Sequence, residues 1–546
     1  MRIRRLAIAD PDPWMRALEE RPDWLSARLP LDARSDRVLA ERAERVCARH
    51  SDRERLAAAL EAANRRWGAD AATLASLGAL RSPDAVVVTT GQQVGALLGP
   101  LYTVYKAAGA VAHARRLQAA LGRPVVPVFW AATEDHDVGE INRVRVPAPG
   151  GRRADFRLFD PVPAGRRPVG PLPVTEAMER LVAELTAREL PTGACRREVL
   201  DGVVELAREH PTLGEHFCAL LLRTFPGTGL VVLDPMDPEL RRLGAQTMAS
   251  FLERHDQVGA AVAAGMAAVA AAGHAPQVSW TPGETGLFAL VEGERLMLEE
   301  REGRIMPRGR PDLVADRSEW AERVRRTPEG FSPSALLRPV LQEVLLPTLA
   351  VVLGPGELRY FAELGELFGV LGAQLPPVLP RPRLTLVDGS TRRLLERTGA
   401  GVEDLWQGWD ERLAAELAVR DRVGIDARFA QFQDQLVEMH TALVAALAPL
   451  DASLAELGAR NRDRILAEVA WLRSKAQHAH RQGNETLIRQ YRTAAEHILP
   501  DGIPQERYYS ALAYLARVGW DLGARVARCD GLTQSGLLVA DLADPG

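Results

Sequence analysis

The stretch FWAATEDHDVGEIN (129–142) puts four titratable side chains, Glu134, Asp135, His136 and Asp137, in four consecutive positions. Carboxylates beside an imidazole can orient an amine, exchange its proton or ligate a metal. Neighbouring side chains in extended backbone point in opposite directions, so the four cannot all serve one site. Asn142 closes the motif, and the competing reading is a solvated loop at a strand end. Upstream, TTGQQVGALLGPLYTVYKA (89–107) supplies Gly91, Gln92 and Gln93, then Tyr102 and Lys106 four positions apart on one helix face. Glutamine amides donate and accept, glycines permit close backbone approach, and an ammonium binds phosphate or carboxylate. Alternatively the glycines only turn the chain and Lys106 is solvated. The GKS/GKT signature of a phosphate-binding P-loop is absent. In SPSALLRPVLQEVLLPTLAVVLGPGELRYFAEL (332–364), Arg338 sits among apolar residues. A guanidinium there is costly to bury without an anionic partner. Gly354, Gly356 and Glu357 make a GPGE turn that suits an anion, or a plain turn whose glutamate complements a helix start.

Elements must bring these motifs together. DAVVVTT (84–90) and RPVVPVFWAAT (123–133) are continuous β-branched runs, the signature of buried parallel strands, with a helix from Pro100 to about Leu121 between them. GLVVLDP (229–235), TLAVVLGPGE (348–357) and PPVLPR (376–381, the expected last strand) extend the same α/β pattern. One helix is expected to follow GPGE, through Leu358, Phe361, Leu364, Phe368 and Leu371. Ligands in open α/β sheets bind where strands end and helices begin, so the Gln loop and the EDHD loop are expected to line one pocket.

Residues 1–82 read as helical, and past about residue 386 strands are expected to stop. Phe429, Phe432, Leu436, Met439, Leu443, Ala446 and Leu450 repeat at heptad spacing, and a second helix runs through Ile465, Val469, Leu472 and Ala476. That predicts an antiparallel hairpin, either an ordinary helical subdomain or a protruding coiled coil. The reading is therefore a Rossmann-like α/β core over 1–385, with insertions at about 142–228 and 275–330. An all-α coiled-coil domain spans 386–500, and a helical segment, 501–546, packs back on the core.

Bulk properties exclude some functions. The 546 residues carry a net charge of −4, with acidic and basic side chains interleaved, so no nucleic-acid footprint stands out. Of 68 basic residues only Lys106 and Lys475 are lysines. Cys47, Cys195, Cys218 and Cys529 form no CxxC pair, which argues against a zinc knuckle or disulfide framework and fits a reducing cytoplasm. No metal site is expected. The longest apolar run, 258–273, is mostly alanine and too short for a membrane span. It reads as a small-residue helix packed in a core.

The series VVVTTGQQVGALLGPLYTVYKA, PVVPVFWAATEDHDVGEIN, SPSALLRPVLQEVLLPT and GPGELRYF resembles the bacillithiol biosynthesis cysteine-adding enzymes, in order and spacing across about 85–385. LPDGIPQERYYSALAYL (499–515) extends the likeness into the tail. Val138, Gly139, Arg143 and Leu353 depart from the family pattern and leave its core motifs intact. The resemblance implies a Rossmann-like core with two connecting insertions and a coiled coil used for homodimerisation. It implies addition of cysteine to the amine of glucosaminyl-malate, giving bacillithiol, and an ATP or ADP pocket. On that implication Glu134, Asp135, His136, Asp137 and Lys106 are catalytic candidates. Gly91, Gln92, Gln93, Tyr102, Asn142, Arg338, Gly354, Gly356 and Glu357 are candidates for binding substrate or nucleotide. Neither an HxGH box nor a KMSKS loop is present, so an adenylate route is an analogy of fold. Two other readings stay open: a non-catalytic nucleotide-binding scaffold whose coiled coil recruits partners, and a nucleotidyl-transferring enzyme with another amine substrate.

Overall fold

The computed structural model describes residues 1–31, 35–50 and 52–542. They form two units, one of residues 1–149, 153–389 and 502–546, the other of 150–152 and 390–501.

The first unit is built on five parallel strands: β1 (Val86–Gln93), β2 (Val125–Ala132), β3 (Val231–Leu233), β4 (Thr348–Leu353) and β5 (Val378–Pro380), in spatial order β5-β4-β1-β2-β3. Valines 86–88, 126 and 128 are buried because helices cover both faces. β1 and β2 pair in parallel from Val86↔Val125 to Gln93↔Ala132, which sets the Gln loop beside the start of the EDHD loop. Helix α1 (Tyr102–Leu121) makes the crossover and ends at Gly122, whose φ of +64° caps it. The chain moves outward from β1 through β2 to β3, then returns to β4 on the other side of β1. The loops after β1 and β4 diverge at that reversal and open a crevice, the place where such sheets bind ligands.

Both insertions return to this crevice. The first carries two short strands, Arg143–Ala148 and Arg152–Arg157, and then three helices between Thr175 and Thr224. The second folds as an antiparallel sheet of Phe331–Pro333, Glu284–Val291, Glu294–Arg301 and Arg304–Pro307. Its central turn puts Glu292 and Gly293 at φ of +53° and +84°, as a tight two-residue hairpin requires. The alanine-rich segment lies in a helix, His255–Ala271. A Cβ on its Gly265 would fall 1.9 Å from the Glu363 carbonyl oxygen, so that approach admits only glycine.

Several expectations are corrected. PPVLPR is not the last strand, and strands do not stop at 386. Arg383–Val387 pairs in parallel with Leu537–Asp541, which pairs with Ile3–Arg5 near the start of the supposedly helical N-terminal region. Ile3–Arg5 is too short and too basic to show a strand pattern. Leu537–Asp541 is a short run that follows three helices, with only Ser535-Gly536 before it to mark a turn. Thus 501–546 is not purely helical, and its last four residues lie outside the described ones. The single helix expected after GPGE is two, α2 (Pro355–Phe361) and Gly365–Val370, broken just before Gly365.

In the second unit, helices α3 (Ile425–Leu447) and α4 (Ser453–Gly483) form the hairpin. The apolar seam is only partly covered: Phe429 and Leu436 are half-buried. Phe432, Met439, Leu443 and Leu450 are exposed, and so are Leu457, Trp471 and Leu472. The helices also meet through small and polar contacts. Val444 is so close to Gly458 that a Cβ there would lie 2.5 Å from it. His440 hydrogen-bonds Asn461 (3.0 Å), and Arg473 pairs with Asp426 (2.6 Å). Heptad spacing reveals a stripe, not which surface covers it. Elsewhere in this unit Trp409 stacks on Tyr491 at 4.4 Å. No helix among the described residues is long and apolar enough to cross a membrane.

Candidate active site

A cavity of about 490 Å³ opens at the crevice. The Gln loop and the EDHD loop supply one wall, the second insertion another, and α2 a third. Gly91, Gln92, Gln93, Glu134, Asp135, His136, Arg338, Gly356 and Glu357 all line it.

The Gln loop is held from below. Lys106 on α1 is buried, and its ammonium donates to the Gly91 carbonyl (2.8 Å) and to Gln92 Oε1 (2.8 Å) while pairing with Glu357 Oε2 (2.7 Å). Burial pulls its pKa below the ordinary lysine value, and Glu357 partly restores it. Three acceptors match the three protons of an ammonium. Lys106 is therefore neither solvated nor open to a ligand; it joins the loops after β1 and β4. Gln92 also donates to the Tyr102 hydroxyl (3.1 Å). Gln93 donates to Asp135 Oδ2 and Glu140 Oε2, both at 2.7 Å, and ties the two loops together. Gly91 is required by β2: a Cβ there would sit 2.9 Å from the Trp130 carbonyl oxygen.

The EDHD residues lie past the end of β2, and Glu134, Asp135 and His136 all line the cavity while Asp137 does not. Glu134 is buried; its nearest cation is Arg241 at 3.8 Å, and its Oε2 has no hydrogen-bond partner. Burial raises its pKa above the usual carboxylate range, against the pull of Arg241 and Arg295. Both Asp135 oxygens are engaged, Oδ2 by Gln93 and Oδ1 by the His136 backbone N–H (2.7 Å). His136 Nδ1 faces Arg295 Nη1 at 3.1 Å. A guanidinium can only donate, so Nδ1 accepts and the neutral ring carries its proton on Nε2. Burial first and Arg295 second lower the His136 pKa. Asp137 is exposed and accepts from the Glu140 N–H (3.1 Å) as the cap of the short helix Val138–Ile141. It lies outside the cavity. So does Asn142, whose amide closes a reciprocal pair with the Phe159 backbone (2.9 and 2.7 Å). Gly354 caps α2, its N–H donating to Glu357 Oε2 (3.0 Å). Tyr102 lines a neighbouring cavity instead.

Arg338 is half-buried and donates to Gln342 Oε1 and the Tyr360 hydroxyl, each at 3.1 Å. It has no carboxylate partner among the described residues. Arg338 thus brings to the cavity a charge without a carboxylate partner among the described residues, and Glu134 brings a carboxylate whose Oε2 accepts no hydrogen bond.

Residues the sequence reading missed complete the walls. Arg295, from the inserted hairpin, is buried, lies 3.8 Å over the Phe288 ring, and donates to Ser332 Oγ (2.8 Å) and the Pro333 carbonyl (2.7 Å). Trp130, Phe288 and Tyr360 give the cavity its apolar surface. Trp130 stands inside the quoted motif and could have been found; nothing local marks Arg295. Asp234, beyond β3, is spent on the Thr133 hydroxyl and the Met236 N–H. Elsewhere His255, Asp256 and Glu300 lie close enough to share a cation, but Arg317 already pairs with Asp256 (3.0 Å) and Glu300 (2.7 Å).

Comparison with known proteins agrees with this architecture. Residues 1–382 match the family model of the BshC N-terminal Rossmann-like domain of bacillithiol biosynthesis, and 384–528 match that of the BshC C-terminal coiled-coil domain. A protein of Symbiobacterium thermophilum named "Putative cysteine ligase BshC" is 38% identical, with 87% of each chain covered. One of the same name from Heliobacterium modesticaldum is 34% identical over 89% of this chain and 90% of its own. With both domain models matched in order across a Rossmann-like core and a helical hairpin, the chain belongs to the BshC family of bacillithiol biosynthesis.

Proposed function

We propose that this chain is a ligase that joins the carboxyl group of L-cysteine to the amine of glucosaminyl-malate, giving bacillithiol. The observation that carries the reading is that one cavity is lined both by the Arg338 guanidinium, which has no carboxylate partner among the described residues, and by the Glu134 carboxylate, whose Oε2 accepts no hydrogen bond. Arg338 suits the anionic donor, a carboxylate or its phosphorylated form. Glu134 suits the amine, whose proton must leave as nitrogen attacks the acyl carbon. Asp135 already accepts one hydrogen bond on each oxygen, from Gln93 and from the His136 N–H. His136 cannot take it at Nε2, which already bears one. Burial raises the Glu134 pKa and so makes it a stronger base than an ordinary carboxylate.

A carboxylate does not react with an amine unless one oxygen becomes a leaving group. ATP would supply that activation by phosphoryl or adenylyl transfer. Arg295 and Arg338 then offset the negative charge that develops on the acyl oxygen. The amide bond forms, the activated oxygen leaves with its phosphoryl group, and Glu134 holds the amine proton. The products are bacillithiol and AMP with pyrophosphate, or ADP with phosphate.

The exposed seam of α3 supports a further part of the proposal, that two copies pair through the coiled coil. Phe432 (53% exposed), Met439 (72%) and Leu443 (58%) form a stripe that the hairpin itself leaves uncovered.

The test is incubation of the full chain with cysteine, glucosaminyl-malate and ATP, followed by mass spectrometry. Bacillithiol formation dependent on all three is expected. Tight nucleotide binding without product would replace this reading with a scaffold, and turnover only with another amine would replace the substrate.

A further inference from the structure

A second cavity, of about 310 Å³, lies against the first with Gln92, Gln93 and Glu140 as the shared wall. Its chemistry differs. The far wall carries Arg143, Arg145 and Arg507, with Tyr102, Thr103 and Ser510 between them. Arg143 and Arg145 share one carboxylate, Asp155, at 3.4 and 3.3 Å. Arg507 has no carboxylate partner among the described residues. Glu140, the acidic group in the lining, already accepts from Gln93. Cationic charge therefore exceeds anionic charge around this space. Thr103 supplies an independent sign: it is fully buried, it belongs to the lining, and its hydroxyl has no hydrogen-bond partner.

The wall is fixed by backbone bonds. The Leu101 N–H donates to Tyr509 (2.9 Å), the Ala511 N–H to Gly99 (3.0 Å) and the Ser510 N–H to Arg145 (2.8 Å). The C-terminal segment is thus bound to both the Gln loop and the first insertion, and it holds Arg507 beside Arg145. The Arg145 guanidinium lies 4.9 Å over the Tyr508 ring, which orients it.

We propose that this cavity is a binding subsite for a group bearing two negative charges, held by Arg145 and Arg507 with the Thr103 hydroxyl. The group is the remote end of a substrate whose reacting end occupies the first cavity across the Gln92–Gln93 wall. Two sources share this chemistry: the dicarboxylate of the amine acceptor and the phosphates of the activating nucleotide. This assignment deepens the ligase reading but is tested without turnover.

Isothermal titration of the full chain with L-malate and with inorganic pyrophosphate separates the sources. The combined Arg145→Gln and Arg507→Gln substitutions should weaken one probe by about tenfold or more, the loss expected of two charge-assisted hydrogen bonds. Loss of malate assigns the acceptor's carboxylates, and loss of pyrophosphate assigns the nucleotide. Arg507→Glu alone, at an exposed position with no ion pair to break, should weaken the same probe and rules out misfolding as the cause. Unchanged affinity for both probes in both variants, or no binding of either probe to the wild type, overturns the subsite. A chain that binds the probe through these arginines yet makes no bacillithiol retains the subsite and loses the ligase reading.

Discussion

Replacing Lys106 with methionine removes the one ammonium that joins the Gln loop to the GPGE turn, and its cost follows from its contacts. The substitution leaves Glu357 without its partner at 2.7 Å and the Gly91 carbonyl and Gln92 amide without a donor. Breaking a fully buried ion pair costs about 3–5 kcal/mol. Glu357 is not fully buried, with 19% of its side chain exposed, and it keeps the Gly354 N–H at 3.0 Å. That lowers the expected loss to about 2–3 kcal/mol. Glu357→Gln in the same background removes the stranded charge and should recover about 1–2 kcal/mol, an interaction energy ordinary for touching residues. Guanidinium unfolding of the wild type, both single variants and the double variant measures the cycle. A loss under about 0.5 kcal/mol for Lys106→Met, the size typical of a surface position, would refute the argument. So would strict additivity of the two changes.

Glu134→Gln should lower kcat by about 10²–10⁴, the usual contribution of a positioned base, with the fold retained. Because burial raises the Glu134 pKa, the acid limb of the wild-type kcat/KM profile should fall above the ordinary carboxylate value of about 4.5, activity rising with pH; a limb at or below it contradicts the assignment. His113 is buried with its pKa lowered to about 3, while the unfolded chain protonates it near 6.5. Between those values the unfolded state binds the extra proton, so stability falls as pH drops through about 6.5. At pH 5 the histidine accounts for about 2 kcal/mol of that loss. His113→Leu should flatten this part of the stability–pH curve, and an unchanged slope would count against it. Phe432→Glu with Leu443→Glu should convert a wild-type dimer to monomer by light scattering; a persisting dimer places the interface elsewhere.

The sheet was legible because its strands are buried on both faces and read as unbroken apolar runs. The motifs at their ends were legible for the same reason, since a strand that stops at TTGQQ or WAATEDHD points its loop at the crevice. What could not be read was how each polar group is satisfied. Asp137 and Asn142 share the motif's chemistry, but backbone N–H and C=O groups consume them locally, as a helix cap and as a clamp on Phe159. Lys106 looked free to bind an anionic ligand because its partner, Glu357, is far along the chain and meets it only when β4 docks beside β1. Arg295 arrives from an inserted hairpin whose alternation shows a strand and hides which end reaches the cavity. The heptad stripe of α3 was plain, yet its cover depends on how the hairpin packs, which leaves Phe429 and Leu436 half-buried and Phe432, Met439 and Leu443 exposed.

The most direct measurement supplies L-cysteine labelled with ¹⁸O at both carboxyl oxygens, together with ATP and glucosaminyl-malate, and follows both products by mass spectrometry. The account predicts bacillithiol that retains one labelled oxygen in its amide, with the other transferred to AMP or to inorganic phosphate. Arg338→Gln should reduce both signals together, because the same guanidinium faces the donor in each step. Absence of bacillithiol, or bacillithiol formed with no label in either phosphorus-containing product, would contradict the claim that this cavity activates a carboxylate and joins it to an amine.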